Sequence, residues 1–578
     1  MILKIVIIGG VAAGASTAAR ARRLNEDAEI IVLEKDEFIS FANCGLPYHI
    51  GGEIKDREAL LLQTPKSLKA TLNIDVRTCH EVTQIDRHLK QLTVVDHKQK
   101  RTYMESYEKL VLCQGADALK PPIPGIDHKK IFVLRNIPDM DAIIQEIDDG
   151  ARKAIVIGGG FIGIEVAEAF RQRNMGVELV ELQKQLMPPL DCEMACDLRY
   201  HMESEGVQLH LGHAAKAFTD AAGKVNVVLD NDQSLVADLV ILAIGVRPTS
   251  KLAVEAKLEM GVRGGIKVDS HMQTSDPDIY AAGDMVEVTD TVTGEPTQLP
   301  LAGPANRQGR IVADNIFGLA SQYRSTQGTA VVKVFDMTAG STGASEKTLQ
   351  RVNRAYHKVY LHPSGHAGYY PGTAPMHIKL LFEPEAGKLL GVQIVGYDGV
   401  DKRIDVFATA IRAGMTVFDL EHLELAYAPP YGSAKDPVNM AGFIAANFLR
   451  GDLDFWYAEN FPEQVANGVL VDVRSTKEFK HWSIPGSINI PISKLRSRLH
   501  ELQTEQPVYV YCRVGFRSYL AYRILKQKGF ERVSMLAGGS KTFNCFCRTE
   551  MATGKPGVPF VSHAEEKLAE MPGALKNA

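Results

Sequence analysis

Two cysteines far apart in the chain, Cys44 in SFANCGLPY and Cys512 in CRVGFRS, each stand without a second cysteine close by in sequence. A thiolate is both a nucleophile and a two-electron redox partner, so an isolated thiol on an anion-cradling loop points to sulfur chemistry. Beside a redox group, Cys44 has to make its bond to something external: a small-molecule thiol, a sulfane sulfur, or oxygen as a sulfenic acid. Cys512 is separated from Arg517 by four residues, and Gly515 between them allows the tight backbone curl that directs amides at an anion. A persulfide or thiosulfate fits so small a cradle. Cys79, Cys113, Cys192 and Cys196 read as structural, and the close pair Cys545 and Cys547 falls short of the four ligands of a zinc site, so no metal site is expected.

The elements that must position Cys44 begin at the N-terminus. An apolar strand over 4–8 runs into GGVAAG and an alanine-rich helix carrying Arg20, Arg22 and Arg23. The next strand, EIIVLEK, places Glu34 twenty residues past Gly14, the spacing at which a strand–helix–strand unit sets an acid against a ribose hydroxyl. Gly9 and Gly14 fit the dinucleotide fingerprint, although Val11 occupies its middle glycine position. The unit recurs: a strand over 153–157, GGGFIG with Gly158, Gly160 and Gly163 in place, a helix, and a strand carrying Glu181. Glu181 would accept a hydrogen bond from a 2′-hydroxyl and repel a 2′-phosphate, which favours NADH, while nearby Lys184 leaves NADPH open. Later, TSDPDIYAAGDMVE sets Gly283 and Asp284 at a strand end, suited to a ribityl hydroxyl and a phosphate.

Up to about residue 445 this pattern resembles the FAD-dependent pyridine nucleotide-disulfide oxidoreductases, and residues 462–548, with VLVDVRSTKEF and CRVGFRS, resemble a rhodanese domain. The resemblance implies an FAD-binding domain from 1–150 and 271–325, an NAD(P)H-binding domain over 151–270, a dimerisation domain over 326–445, a linker over 446–461 and a tail over 549–578. FAD and the nicotinamide nucleotide are expected to contact Gly9, Gly10, Ala12, Ala13, Gly14, Glu34, Lys35, Asn43, Gly115, Gly283, Asp284, Pro304, Ala305, Gly158, Gly160, Phe161, Ile162, Gly163, Glu181 and Gly245. In dithiol reductases of this superfamily the Cys44 region carries two cysteines; here it carries one. SFANCGLPY is similar to the coenzyme A disulfide reductases and their persulfide-reducing relatives more than to the NADH oxidases and peroxidases that share the single cysteine. That resemblance implies coenzyme A held by Ser16, Arg20, Arg23, Ser40, Phe41, Asn43, Asn306 and Arg307, since guanidinium forks one helical turn apart suit phosphates. It also implies two tyrosines lent by a partner subunit, with Tyr370 and Tyr427 the candidates and Tyr369 the alternative to the first. Interface packing accounts equally for these tyrosines. The loop count from Cys512 to Arg517 is one fewer than in the related phosphatase loop, which argues for sulfur over phosphate.

The fold class expected is therefore α/β: two Rossmann-like domains, an α+β dimerisation domain and a C-terminal α/β rhodanese-like domain. At 578 residues, with a formal net charge of −4, the chain offers no polyelectrolyte footprint and nucleic acid is not expected as a partner. Eight scattered cysteines suit a reducing cytoplasm, and the apolar start is too short to span a bilayer. The expectation is a cytoplasmic homodimer that uses NADH to reduce coenzyme A disulfide, coenzyme A persulfide or polysulfide through Cys44, with sulfur transfer at Cys512. Two rivals follow from the same residues: an oxygen- or peroxide-reducing enzyme working through a Cys44 sulfenic acid, and a redox sensor whose rhodanese-like unit only docks partners.

Overall fold

The computed structural model describes residues 2–552. They belong to two compact units, one built from 2–180 with 214–326, the other from 181–213 with 327–552. Of the expected tail, residues from 553 lie outside the described residues, and those just before continue the helix Gly539–Ala552.

The first unit holds a parallel sheet in the order Ile279–Ala281, Lys109–Leu112, Lys4–Ile8, Glu29–Glu34, Asp75–Thr78. Its inner strands are apolar runs such as KIVII because both faces are covered, and alternation would strand polar groups in the core; the edge strand Asp75–Thr78, DVRT, is only partly buried. The first glycine loop leaves the middle strand where the chain order reverses, the place at which an open parallel sheet leaves a crevice. The helix Ala12–Leu24 packs on the helix Ala302–Ile316 so tightly that a Cβ on Gly309 would lie 2.3 Å from the Ala13 carbonyl oxygen. A second parallel sheet runs Gly176–Glu181, Lys153–Ile157, Leu239–Leu242, Ile131–Phe132. It takes Ile131–Phe132 from before the boundary expected at 150, because a two-residue strand has no periodicity to read.

The second unit contains an antiparallel sheet ordered Ala330–Val334, Met337–Gly343, Leu389–Gly396, Met376–Phe382, His357–Leu361. Its central strands are buried along their whole length, with the helix Val400–Ala413 among the elements covering them. The rhodanese-like part is a parallel sheet ordered Phe455–Trp456, Val533–Leu536, Val508–Tyr511, Val469–Asp472, Ile488–Asn489. Its edge strand Phe455–Trp456 lies within 446–461, so that stretch, expected as a linker, supplies part of the sheet and sends the fully buried Trp456 into the core. No described helix is long and apolar enough to cross a membrane.

Candidate active sites

Cys44 sits in a single 3₁₀ turn, Asn43–Gly45, that leads into the short helix Leu46–Gly51. Pro47 suits the first turn of that helix, where a missing N–H costs nothing. The approach to the turn is pinned from both sides: the Ser40 N–H donates to the Gly10 carbonyl at 2.8 Å, and Phe41 bridges to Leu61 in antiparallel fashion. Ser40 takes a left-handed φ of 44°, which turns the chain from the glycine loop toward the cysteine. The thiol is exposed, with Asn43 Oδ1 accepting the Cys44 N–H at 3.1 Å and facing Sγ at 3.7 Å. Partial burial raises the thiol above its usual range, and the carboxylates of Glu165 and Asp284 raise it further. The site therefore resists a free thiolate and favours a sulfur whose charge is shared in a covalent bond or met by a bound partner.

Glu165, on the helix Phe161–Gln172, accepts a hydrogen bond from the Tyr48 hydroxyl at 3.3 Å. Burial pushes Glu165 up to about 7. Tyr48 closes the stretch SFANCGLPY without a role of its own being legible there, and Glu165 is marked by no motif, because helix positions beyond a glycine fingerprint read only as an amphipathic face.

Around the first glycine loop, a Cβ on Gly9 would lie 2.3 Å from the Cys113 carbonyl oxygen, and one on Gly14 would lie 1.8 Å from that of Gly9. Both positions exclude any larger residue, and Gly9 adds a left-handed φ of 97°. Glu34 accepts the Gly10 N–H at 2.9 Å and the Asp36 N–H at 3.0 Å. Burial raises Glu34 despite those bonds. Asp284 is raised by burial, with Arg135 the cation that offsets it, and no described group donates a hydrogen bond to it. A partly buried carboxylate with no donor among the described groups fits a ribityl or ribose hydroxyl, so the residues present suit FAD. Gly283 precedes Asp284 and donates its N–H to Gln308 at 2.8 Å, which ties this strand end to the helix bearing Pro304 and Ala305. Ala12 and Ala13 open the first helix; Gly115 and Gly245 each take a left-handed φ, 70° and 111°. Lys35 lies 4.0 Å from Asp117.

The second loop repeats the packing: Gly158 abuts the Ala243 carbonyl and Gly163 abuts Gly158, whereas a Cβ on Gly160 would meet nothing within 4 Å. Open space above Gly160, at the N-cap of a helix begun by Phe161 and Ile162, leaves room for a dinucleotide phosphate. In the other unit, Glu181 is buried and accepts the Gln183 N–H at 2.7 Å.

Ser16 and Arg20 project from the first helix toward the helix Ala302–Ile316. The Ser16 hydroxyl donates to Asn306 Oδ1 and Arg20 Nε to Asp314 at 2.7 Å. Arg23 is exposed, and the Arg307 guanidinium lies over the Tyr323 ring at 5.7 Å. Arg22 serves the fold instead, donating to the carbonyls of Leu72, Asn25, Glu26 and Asn73. Among the exposed tyrosines, Tyr427 shares a 2.8 Å hydroxyl–hydroxyl bond with Tyr369, while Tyr370 sets its ring edge against His366 at 5.5 Å. The geometry thus pairs Tyr427 with Tyr369, not with Tyr370.

Cys512 lies at the end of the strand Val508–Tyr511 and is fully buried. Its sulfur receives the Gly515 N–H at 3.2 Å and the Ser518 N–H at 3.4 Å, with the Ser518 hydroxyl at 3.4 Å. Gly515 makes this curl possible with φ 103°. Arg517 forms a two-pronged ion pair with Glu478 at 2.8 and 2.7 Å. Asp472 and Arg474, read from VLVDVR as scaffold, form a buried bidentate pair, and the Arg474 guanidinium lies over the rings of Trp482 and Tyr511.

Elsewhere in the second unit, Asp191, Glu193 and Glu346 bring carboxylate oxygens close enough to hold a metal ion. The Lys379 ammonium fills that position, 2.8 Å from Asp191 and 2.5 Å from Glu193, and also bonds Glu346.

Residues 3–309 match the pyridine nucleotide-disulphide oxidoreductase family, 329–436 its dimerisation domain, and 456–544 a rhodanese-like domain. Coenzyme A disulfide reductase of Staphylococcus haemolyticus is 36% identical over 444 residues, 76% of this chain and 99% of that protein. Among solved structures, reduced CoADR-RHD of Bacillus anthracis superposes with a TM-score of 0.93 at 47% identity, over 97% of this chain and 100% of the other. An NAD-dependent persulfide reductase from A. fulgidus superposes at 0.88 with 38% identity, over 93% of this chain and 100% of its own.

Proposed function

Since this chain belongs to the pyridine nucleotide-disulphide oxidoreductase family, we propose that it is an FAD-dependent reductase of coenzyme A disulfide and persulfide, with a sulfurtransferase fused at its C-terminus. The observation that carries this reading is the exposed, unpaired Cys44, the only cysteine on the loop that runs from the glycine fingerprint into the helix Leu46–Gly51. FAD, when bound, supplies the relay of an electron pair from a reduced nicotinamide to sulfur. The residues of the chain do the rest. Glu34 and Asp284 meet hydroxyls of the dinucleotide, the Gly160 cradle admits a pyrophosphate, and Glu181 selects NADH by disfavouring a 2′-phosphate. Arg20, Arg23, Ser16 and Asn306 hold the phosphates of coenzyme A, and the disulfide or persulfide exchanges onto Cys44 Sγ, releasing a thiol.

Cys512 accepts a sulfane sulfur and holds it under the amides of Gly515 and Ser518 until a carrier thiol removes it. Fusion keeps the two sulfur sites at high effective concentration. The dimerisation domain supports a homodimer in which Tyr427, with Tyr369 or Tyr370, faces the partner's thiol.

Anaerobic steady-state kinetics with NADH over coenzyme A disulfide, coenzyme A persulfide and polysulfide test this reading, comparing the parent with Cys44→Ser and Cys512→Ser. The first variant is expected to lose all reductase turnover, the second only sulfur transfer. Rapid NADH consumption in air with no sulfur acceptor would replace the reading with an oxygen-reducing one.

A further inference from the structure

The rhodanese-like loop CRVGFRS carries two arginines, Arg513 and Arg517, and an arginine beside a sulfur-accepting cysteine would ordinarily draw in highly charged anionic donors. Here the charge of Arg517 is matched. Both terminal guanidinium nitrogens of Arg517 bond the two carboxylate oxygens of Glu478, at 2.8 and 2.7 Å. Glu478 is itself fixed: it is the third residue of the helix Thr476–His481, where the N-cap Ser475 closes a reciprocal capping box with it. The Ser475 N–H and hydroxyl donate to Glu478 Oε2 at 2.9 and 2.7 Å. A carboxylate held by two backbone-anchored donors and a guanidinium fork cannot swing away without breaking all of them.

Directly at Cys512 Sγ stand the backbone N–H groups of Gly515 and Ser518 and the Ser518 hydroxyl at 3.4 Å, dipoles that suit one sulfur anion. Two apolar side chains of the loop are exposed beside it, Val514 36% and Phe516 68%. Arg474, a further arginine of the rhodanese-like part, is likewise bound to Asp472.

We infer that Glu478 is a specificity-determining residue of the sulfur-transfer site: by neutralising Arg517 it favours donors that present one negative charge, such as a persulfide anion on an uncharged carrier, over the dianion thiosulfate. The inference rests on the reading of Cys512 as the sulfane-sulfur acceptor. In the step concerned, the Cys512 thiolate attacks the outer sulfur of the donor and an Sγ–S bond forms. The donor's S–S bond breaks, and its electron pair leaves on the carrier thiolate, or on sulfite when thiosulfate is the donor. Oxidant and reductant are not consumed.

The test is the rate of persulfide formation at Cys512 in the full-length holoenzyme, read by mass spectrometry of the peptide that contains it. The donors are thiosulfate and the persulfide of 2-mercaptoethanol. Glu478→Gln keeps a capping residue at the same helix position while unmasking Arg517. A dianion feels twice the added charge that a monoanion does. The variant is therefore expected to speed the persulfide about threefold and thiosulfate about tenfold, moving their ratio by about threefold. Arg517→Met, which leaves Glu478 uncompensated, is expected to move the ratio the other way and carries the test by itself if Glu478→Gln does not fold. The double variant should restore the parent ratio. A ratio unchanged by either single variant overturns the assignment to Glu478. Failure of the parent to form a persulfide at Cys512 with either donor overturns the sulfur-transfer reading, and this inference with it.

Discussion

The phenol of Tyr48 donates to Oε1 of Glu165 at 3.3 Å, which joins the helix that follows Cys44 to the helix that follows the second glycine loop. Burial is the largest influence on Glu165 and lifts it to about 7, with Glu168 adding to the rise and the Tyr48 bond opposing it. Glu165 in turn raises the Cys44 thiol. A carboxyl that titrates near neutrality beside the Cys44 sulfur is a proton-holding group whose charge changes in the working pH range.

The sign of its effect is fixed. As pH rises through about 7, Glu165 becomes negative and lifts the Cys44 thiol, opposing the gain in thiolate that pH alone would bring. Glu165→Gln removes that charge. Iodoacetamide alkylation of Cys44 at pH 8 is expected to run about three- to tenfold faster in the variant. The pH profile should also lose its inflection near 7. An unchanged profile would show that the carboxylate does not sense the thiol.

Lys379, wholly buried, answers three carboxylates, and the acid stability of this unit depends on it. Burial by itself would raise Glu193, but the Lys379 charge and hydrogen bond override it and hold Glu193 at about 2. A carboxyl depressed in the folded state contributes stability that is complete above its unfolded value near 4.5 and is lost as pH falls toward about 2. Lys379→Met leaves buried carboxylates without their cation and is expected to cost about 3–5 kcal/mol at pH 7. The loss should shrink on acidification as the carboxyls protonate. Chemical denaturation at pH 7 and pH 4.5 measures both.

The two dinucleotide units were legible because a glycine fingerprint is a steric necessity: Gly14 and Gly163 each lie under 2 Å, measured from a hypothetical Cβ, from a carbonyl oxygen. No other residue fits, so the sequence must show it. Cys44 and Cys512 were legible for a related reason, as isolated thiols in loops whose lengths are fixed by what they cradle. Glu165, Tyr48 and Glu478 were not. Their roles arise where residues 117 and 39 positions apart in sequence meet, and neither hydrophobic period nor residue spacing encodes such meetings. The strand Phe455–Trp456 escaped notice because two residues carry no period. The Tyr369–Tyr427 bond depends on which of two adjacent tyrosines faces a loop 58 residues away.

That tyrosine pair makes a separable prediction. The two hydroxyls are 2.8 Å apart, so one donates its proton to the other, and Tyr369 is raised by the bond to Tyr427. Tyr369→Phe and Tyr427→Phe are each expected to slow coenzyme A disulfide turnover about three- to tenfold, and the double variant by little more than the worse single. Tyr370→Phe, outside the bond, should change turnover less than twofold. Equal effects at Tyr369 and Tyr370 would show that the hydroxyl pair is not what the reaction uses.

Arg474 offers a test of the rhodanese-like fold that its own tryptophans report. The chain has two tryptophans, Trp456 and Trp482, and both lie in this part. Arg474 Nε and Nη2 grip Asp472 at 3.0 and 2.6 Å, Nη2 also donates to the Trp482 carbonyl at 2.6 Å, and the guanidinium plane covers the Trp482 ring at 5.6 Å. Lysine keeps the charge but cannot span both carboxylate oxygens and a carbonyl while stacking on an indole. Arg474→Lys is therefore expected to destabilise this part by about 2–3 kcal/mol. The loss should appear as an earlier tryptophan fluorescence transition on heating, while flavin release from the holoenzyme stays at its parent temperature. Simultaneous movement of both signals would show that the rhodanese-like part does not unfold as a separate cooperative unit.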